Sequence, residues 1–383
     1  MKTIKGKSVV SEILHGEITK TFHPFYDRSQ YILLSRNPGF DSWGYKACIT
    51  TSESKKFFCP DFFVVSEQDY YQFEEGDYVS LQGDRVSFLW EINNNENSLL
   101  LTESCNCSCL MCPQPPRAHD PFLLSTANAV LDSLKNKKVE RICLTGGEPT
   151  ILKDKFIAIL KRCCTEHPKA YIYVLTNAKL FSDIEYVREV AKHIHSNIVF
   201  CVSLHSDLSS VHDEIVGVKR SHEMTEKGIY NLGKFGIKTE IRHVITKQNY
   251  TSLKRFVEYL YAYFPFAVHY SLMGMEVCGE AKRNFDTVYV PPHEYKEQLR
   301  IAVLFMQRRG MPVSVYNIPL CLCDEQIRHT ARQSISQWKN IFLSVCDKCN
   351  AKSDCAGFFA TSSYIPKHTI QPLKEDEYEK NYL

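Results

Sequence analysis

Cys105, Cys109 and Cys112 stand in C-x3-C-x2-C spacing, separated by three residues from the apolar run SLLL and ending directly before Pro113, Pro115 and Pro116. An apolar run of that length reads as a strand, and the prolines prevent regular structure from continuing beyond the last cysteine. Three thiolates in one short loop can hold three corners of a 4Fe-4S cube and leave the fourth iron open. On spacing alone a zinc site stays possible, because C-x2-C also serves zinc. A loop at the C-terminal end of a strand lies where parallel α/β folds place their chemistry.

The rest of the chain sets the frame for that loop. Its 383 residues are enough for a barrel-sized domain with smaller flanking units. A formal net charge of +2 gives no basic field for a nucleic-acid partner. No run of twenty apolar residues is present, and MKTIKGKSVVSEILHGE lacks a signal-peptide core, so no membrane partner and a cytoplasmic location are expected. In a reducing compartment the 16 cysteines point to metal ligation rather than disulfides. Cys48, Cys59, Cys143, Cys163, Cys164 and Cys201 lie among apolar neighbours and are expected to be buried packing residues.

Residues 1–95 carry β-branched and aromatic runs such as QYILLSR and YVSLQGDRVSFLWEI, broken by NPG, EEGD and QGD. This predicts a small β-rich N-terminal domain, either a docking module for substrate or partner or a structural support. Residues 96–310 alternate strand and helix patterns through ERICLTGG, AYIYVLTN, NIVFCVSLHS, KTEIRHVIT and AVHYSLMGM, giving six βα repeats. Residues 311–366 are cysteine-rich, and 367–383 form a polar tail.

The cysteine loop, followed one βα unit later by Gly146-Gly147-Glu148-Pro149, resembles the radical SAM superfamily. The resemblance implies an α/β fold with a partial (β/α)6 barrel, a 4Fe-4S cluster on Cys105, Cys109 and Cys112, and S-adenosylmethionine (SAM) as cofactor. It implies SAM contacts from Gly146, Gly147, Glu148 and Pro149, with Glu148 accepting from the ammonium group, and from Asn177, Ser203, Arg242 and Met273 at later strand ends. Arg242 suits a carboxylate if it faces inward, but register decides between it and His243. Two departures are visible: Met111 replaces the usual aromatic residue, and Cys107 is an extra thiol.

The C-terminal part carries Cys321 and Cys323, then Cys346, Cys349 and Cys355 in C-x2-C-x5-C spacing. This resembles the SPASM and twitch regions of radical SAM maturases and implies one auxiliary 4Fe-4S cluster on Cys321, Cys346, Cys349 and Cys355. Cys323 is the alternative fourth ligand, and a four-cysteine zinc site is the alternative centre. The segments LTESCNCSCLMCPQPPR, VITKQNY, MGMEVCGEAKRN, YNIPLCLCD, SISQWKNIFLSVCDKC and CAGFF, spanning roughly 75–360, are similar to the HxsC maturases of the His-Xaa-Ser system.

That similarity implies a peptide-modifying oxidoreductase or isomerase. Its substrate would be a ribosomally made peptide with His-Xaa-Ser repeats, its companion a second radical SAM maturase, and its reductant flavodoxin or ferredoxin. If a hydrogen is returned to the substrate, Cys278 and Cys107 are the candidate catalytic thiols. A nucleotide or small metabolite is the alternative substrate.

Overall fold

The computed structural model describes residues 2–10, 12–36, 38–52, 61–118 and 120–375. Cys59 and the last residues of the polar tail, 376–383, lie outside the described residues. The chain divides into two compact units. The first comprises Met1–Leu101, Pro121–Cys143 and Thr165–Ala170, and the second Thr102–Asp120, Leu144–Cys164 and Tyr171–Leu383.

In the first unit eight short strands form one sheet: β1 (Thr3–Lys5), β2 (Lys7–Ser8), β3 (Leu14–Thr19), β4 (Tyr31–Leu34), β5 (Ala47–Thr50), β6 (Phe62–Val64), β7 (Tyr78–Gln82) and β8 (Arg85–Trp90). Their order is β1-β8-β7-β3-β4-β5-β6-β2. The two ends of that order are consecutive halves of one strand, with β1 antiparallel to β8 and β2 antiparallel to β6, so the sheet closes on itself. Gly6 makes the switch possible, because a Cβ there would stand 2.2 Å from the Val64 carbonyl oxygen. Closure removes the free edges that would otherwise invite pairing. The interior is filled by Ile18, Ile32, Ile49, Phe63, Phe73, Val79, Leu81 and Val86, all fully buried.

The strand β9 (Ser98–Leu100) ends this run, and β10 (Arg141–Thr145) carries the chain into the second unit. There, β11 (Tyr171–Thr176), β12 (Ile198–Ser203), β13 (Thr239–Val244), β14 (His269–Met273), β15 (Val313–Tyr316) and β16 (Ala331–Arg332) pair in sequence order, every pair parallel. Parallel neighbours need crossovers. These are supplied by helices Ile184–Ala191, Ser209–Val216 with Ser221–Lys234, Leu253–Tyr263 and Pro292–Gln307. Each helix buries its apolar stripe, as in Leu253, Phe256, Val257 and Leu260.

The sheet runs on past residue 310. The short alternation PVSVY follows the left-handed Gly310 and adds β15 to β14, inside the stretch the sequence pattern assigns to the cysteine-rich region. Four residues are too few for periodicity to separate a strand from a loop.

Register fixes which side chains share a face. Leu175, Cys201, Glu240 and His269 are in line across β11 to β14, and Ser203, Arg242, Ser271 and Ser314 are in line across β12 to β15. Val244, Met273 and Tyr316 form the next row toward the strand ends. The alternate residues, among them Ile241, His243, Tyr270 and Leu272, are buried on the other face. Arg242 is therefore the residue that shares a face with Ser203, and His243 packs away from it with its ring 4.3 Å from that of Phe256.

Candidate functional site

The cysteine loop, 105–112, is clamped from three sides. Ser108 and Leu110 donate their N–H groups to the carbonyls of Val216 and Ile215 at the C-terminus of Ser209–Val216, each at 2.9 Å. Gly217, at φ +69°, lets that helix end approach, since a Cβ would stand 2.5 Å from the Ser108 carbonyl oxygen. On the far side Glu280 N–H donates to the Cys112 carbonyl at 2.8 Å, and the Asn284 amide donates to that of Leu110 at 3.0 Å.

The Gly146–Pro149 turn supports the loop from below. Gly147 N–H donates to the Thr102 carbonyl at 2.8 Å and Glu148 N–H to the Ser104 carbonyl at 2.9 Å. A Cβ on Gly146 would sit 2.6 Å from the Thr102 carbonyl oxygen, and one on Gly147 2.4 Å from that of Ser104. The close approach that requires glycine is thus to the backbone leading into the cysteines.

Glu148 is 1% exposed. Its Oε1 accepts from Thr150 N–H (3.1 Å), Thr150 Oγ1 (2.6 Å) and Thr176 Oγ1 (2.8 Å), and its Oε2 accepts from Asn177 N–H (2.6 Å). Burial pushes its carboxyl pKa up, against the pull of those donors. The carboxylate is occupied by protein donors and ties the end of β11 to the glycine turn.

Within the loop, Cys105 and Cys109 both hydrogen-bond the thiol of Cys107. Those contacts and the nearby Lys179 hold Cys107 well below the usual thiol range, while the same contacts and burial push Cys105 and Cys109 up. Cys112 donates its thiol to the Gln114 carbonyl at 2.9 Å. Asn177 reaches the loop with its amide, 2.6 Å from Asn106 Oδ1 and 3.5 Å from Cys107 Sγ.

On the sheet face of Ser203 and Arg242, the guanidinium lies 3.6 Å from Glu240 and 3.5 Å from Met273 Sδ. Glu240 also accepts from Ser271 Oγ at 2.8 Å and faces His269 Nδ1 at 3.6 Å, while His269 Nε2 is 3.0 Å from Ser314 Oγ. Glu240, Arg242 and His269 together carry no net charge when the imidazole is neutral. Cys278 donates weakly to the Pro113 carbonyl at 3.7 Å, and burial with Glu276 beside it pushes its pKa up to about 12, which keeps it a thiol.

In the C-terminal region Cys321, Cys346, Cys349 and Cys355 line one cavity, together with Phe342, Phe358 and Ile370. Backbone N–H groups point at the sulfurs: Leu320 and Gly357 at Cys355, and Leu373 at Cys349, each at 3.4 Å. Cys323 is fully buried, does not line the cavity, and is pushed up to about 12 by that burial. Among the described residues no three His, Cys, Asp or Glu are grouped so as to hold a single metal ion. Of the expected packing cysteines, Cys48, Cys163, Cys164 and Cys201 are buried and Cys143 is half-buried.

Residues 99–260 match the Radical SAM superfamily, and the chain carries a radical SAM domain with the α/β fold and parallel sheet described above. The chain is 26% identical over 164 residues to a probable GTP 3′,8-cyclase of Saccharolobus islandicus, a stretch covering 42% of this chain and 51% of that protein. It is 26% identical over 159 residues to the mycofactocin maturase MftC of Mycolicibacterium smegmatis, covering 41% and 39%. The chain thus spans about half the length of the first of these relatives, and less of the second. Streptococcus suis SuiB bound to S-adenosylmethionine is a structural neighbour at 20% identity and a TM-score of 0.47, covering 57% of this chain and 49% of that one. Among the described residues no helix is long and apolar enough to cross a membrane.

Sequence patterns did not single out Lys179, Glu240, His269 or Ser314. A lysine after a strand reads as a surface residue, and the other three gain meaning only from register.

Proposed function

We propose that the protein is a radical SAM enzyme that modifies a ribosomally made peptide of the His-Xaa-Ser type and carries one auxiliary iron-sulfur cluster. When bound, the first cluster and SAM supply reductive cleavage to a 5′-deoxyadenosyl radical, which is the cofactor's chemistry rather than the protein's. Cys105, Cys109 and Cys112 would hold that cluster. The Gly146–Pro149 turn, Asn177, Ser203, Arg242 and Met273 would bind and orient SAM, with Arg242 as the carboxylate partner. The division into an N-terminal β unit (1–95), a barrel (96–310), a cluster region (311–366) and a tail belongs to the same reading.

The observation that carries the proposal is the second thiol set. Cys321, Cys346, Cys349 and Cys355 line one cavity outside the matched radical SAM stretch, and backbone N–H groups face two of the four sulfurs. Backbone donors to sulfur are among the levers by which a protein tunes a cluster. A four-cysteine zinc site on the same thiols is the alternative centre. Cys321 rather than Cys323 completes the set. Cys278, held as a thiol near Pro113, is the better placed of the two hydrogen donors, because Cys107 is engaged by Cys105, Cys109 and Lys179.

The similarity to GTP cyclases favours a nucleotide as the second reading. A triphosphate requires several cations, whereas Arg242 on the shared sheet face is already beside Glu240. Among the described residues the eight-stranded sheet of the first unit closes on itself and offers no open edge for strand addition, so a peptide docking on it would be read by side chains. The companion maturase and a flavodoxin or ferredoxin reductant are part of this proposal.

The test is anaerobic reconstitution with iron and sulfide, then incubation with SAM, reductant and either a synthetic His-Xaa-Ser repeat peptide or GTP. Peptide-dependent 5′-deoxyadenosine with a mass change or solvent deuterium in the peptide is expected. Product from GTP with an unchanged peptide would establish the second reading instead.

A further inference from the structure

Lys179 is a buried cation without a carboxylate. It is 4% exposed, and among the described residues it makes no ion pair. Its ammonium donates to the Asn106 carbonyl oxygen at 2.7 Å and lies 3.5 Å from Cys107 Sγ. Its partners are one carbonyl and the Cys107 sulfur, whose pKa the ammonium helps to lower, and burying an ammonium is favourable only where negative charge gathers.

The backbone is also bent to put it there. Ala178 adopts a left-handed φ of +59°, a conformation that costs a non-glycine residue energy and persists only when its surroundings enforce it. They do so here. Glu148 holds the N–H of Asn177 at 2.6 Å, Thr176 Oγ1 holds that of Ala178 at 2.9 Å, and Thr225 Oγ1 holds the Asn177 carbonyl at 2.9 Å. Gly228 lets the helix Ser221–Lys234 close over the turn, since a Cβ there would stand 2.2 Å from the Ala178 carbonyl oxygen. Four separate contacts thus fix a strained turn whose outcome is one ammonium under the cysteine loop.

We infer that Lys179 is a positioning and charge-compensating residue for an anionic cluster on Cys105, Cys109 and Cys112, raising its reduction potential and pinning the loop through Asn106. The inference rests on the radical SAM reading. Three thiolates outweigh the charge of an oxidised 4Fe-4S core, and reduction adds one more negative charge. A fixed cation therefore favours the reduced form more than the oxidised one. The electron comes from the external reductant.

The experiment is potentiometric titration of the reconstituted full chain, read by the paramagnetic resonance signal that changes on adding SAM, with iron counted in every sample. The variants are Lys179→Met, Lys179→Gln and Lys179→Arg. In the two neutral variants the reduced fraction at a fixed potential is expected to fall about tenfold, equal to a shift of about 59 mV for one electron. Lys179→Arg should restore most of it. Loss of the cluster in both neutral variants with retention in Lys179→Arg would also support a requirement for charge. An unchanged midpoint in a neutral variant that keeps its cluster would overturn the inference, as would loss of the cluster in all three. A wild-type protein whose iron does not depend on Cys105 would instead overturn the radical SAM reading itself.

Discussion

The cysteine loop at 105–112 takes its shape from parts already fixed by strand and helix ends, whereas the C-terminal thiols are gathered by segments with little regular structure. Around the loop stand the helix end at Val216, the turn at Gly146–Pro149, the strained Ala178 and the carbonyl contact to Glu280. Around Cys321, Cys346, Cys349 and Cys355 stand short 3-10 turns and one two-residue strand pair, Asn340–Ile341 with Phe358–Phe359. A site framed by a sheet is organised before metal arrives. A site framed by turns, filled with metal as proposed above, is expected to take more of its order from the metal.

That contrast gives the largest expected effect. Replacing Cys105 with alanine should remove the iron of the first site, about four of about eight per chain, with a small change in thermal midpoint. Replacing Cys346 and Cys349 together should remove a similar amount and also lower the midpoint by several degrees, because metal binding to a turn-framed site is folding energy. Calorimetry with iron counting checks both. Equal midpoints in the two variants would break the contrast.

Acid should separate the two regions next. His205, His212 and His243 are buried around the ends of β12 and β13, each with its pKa lowered to about 3, first by burial and then by other histidines or, for His243, against a bond to the Leu204 carbonyl. Their geometry requires the neutral form: His212 Nδ1 accepts from His205 N–H at 3.2 Å, and His205 Nδ1 accepts from Val244 N–H at 3.4 Å. A folded pKa below the unfolded 6.5 contributes stability that is complete above pH 6.5 and lost as pH falls toward 3. At pH 5 the loss is about 2 kcal/mol for each histidine. Urea titrations between pH 7 and pH 5 should show this decline, and His212→Gln should flatten it by about a third. A profile that stays flat in the wild type would mean that these histidines are not held neutral in the folded chain.

How much of this was legible in the sequence follows the same division. Cysteine spacing, the glycine turn and the alternation of strands and helices are local patterns, so the fold class could be read directly. The side-chain partners could not. Glu148 takes two of its protein donors from Thr150 close by, but the other two come from Thr176 and Asn177, a whole βα unit away. Arg242 and His243 were equivalent until strand register separated them. Lys179 acquired a role only because a left-handed alanine turns it inward. Residues 313–316 were too few for their alternation to declare a strand, and closure of the first unit turned on the space left by Gly6.

A smaller effect tests the buried carboxylate. Glu148→Ala leaves the hydroxyls of Thr150 and Thr176 and the N–H of Asn177 without their acceptor, and a loss of about 3–5 kcal/mol is expected. Glu148→Gln keeps the shape and two of the lone pairs, so it should cost about half as much. Denaturant midpoints decide. An alanine variant as stable as wild type, but unable to retain SAM in equilibrium dialysis, would return Glu148 to the ammonium-binding role.

The smallest effect concerns Gly147. Alanine there brings a Cβ to 2.4 Å from the Ser104 carbonyl oxygen and 2.8 Å from that of Glu103, both backbone atoms that cannot rotate away. The loop must shift as a body, at a cost of about 1–3 kcal/mol typical of overpacking. Because the shift displaces the residue next to Cys105, iron content of the first site should fall in Gly147→Ala while that of the second stays constant. Gly83→Ala is the control, since its left-handed φ of +55° carries the backbone cost in open space and in the compact unit that holds neither cysteine set. If both substitutions lower stability alike and neither changes iron, the glycine turn is an ordinary β-to-α connection. If only Gly147→Ala releases iron, the turn is part of what positions the cysteine loop.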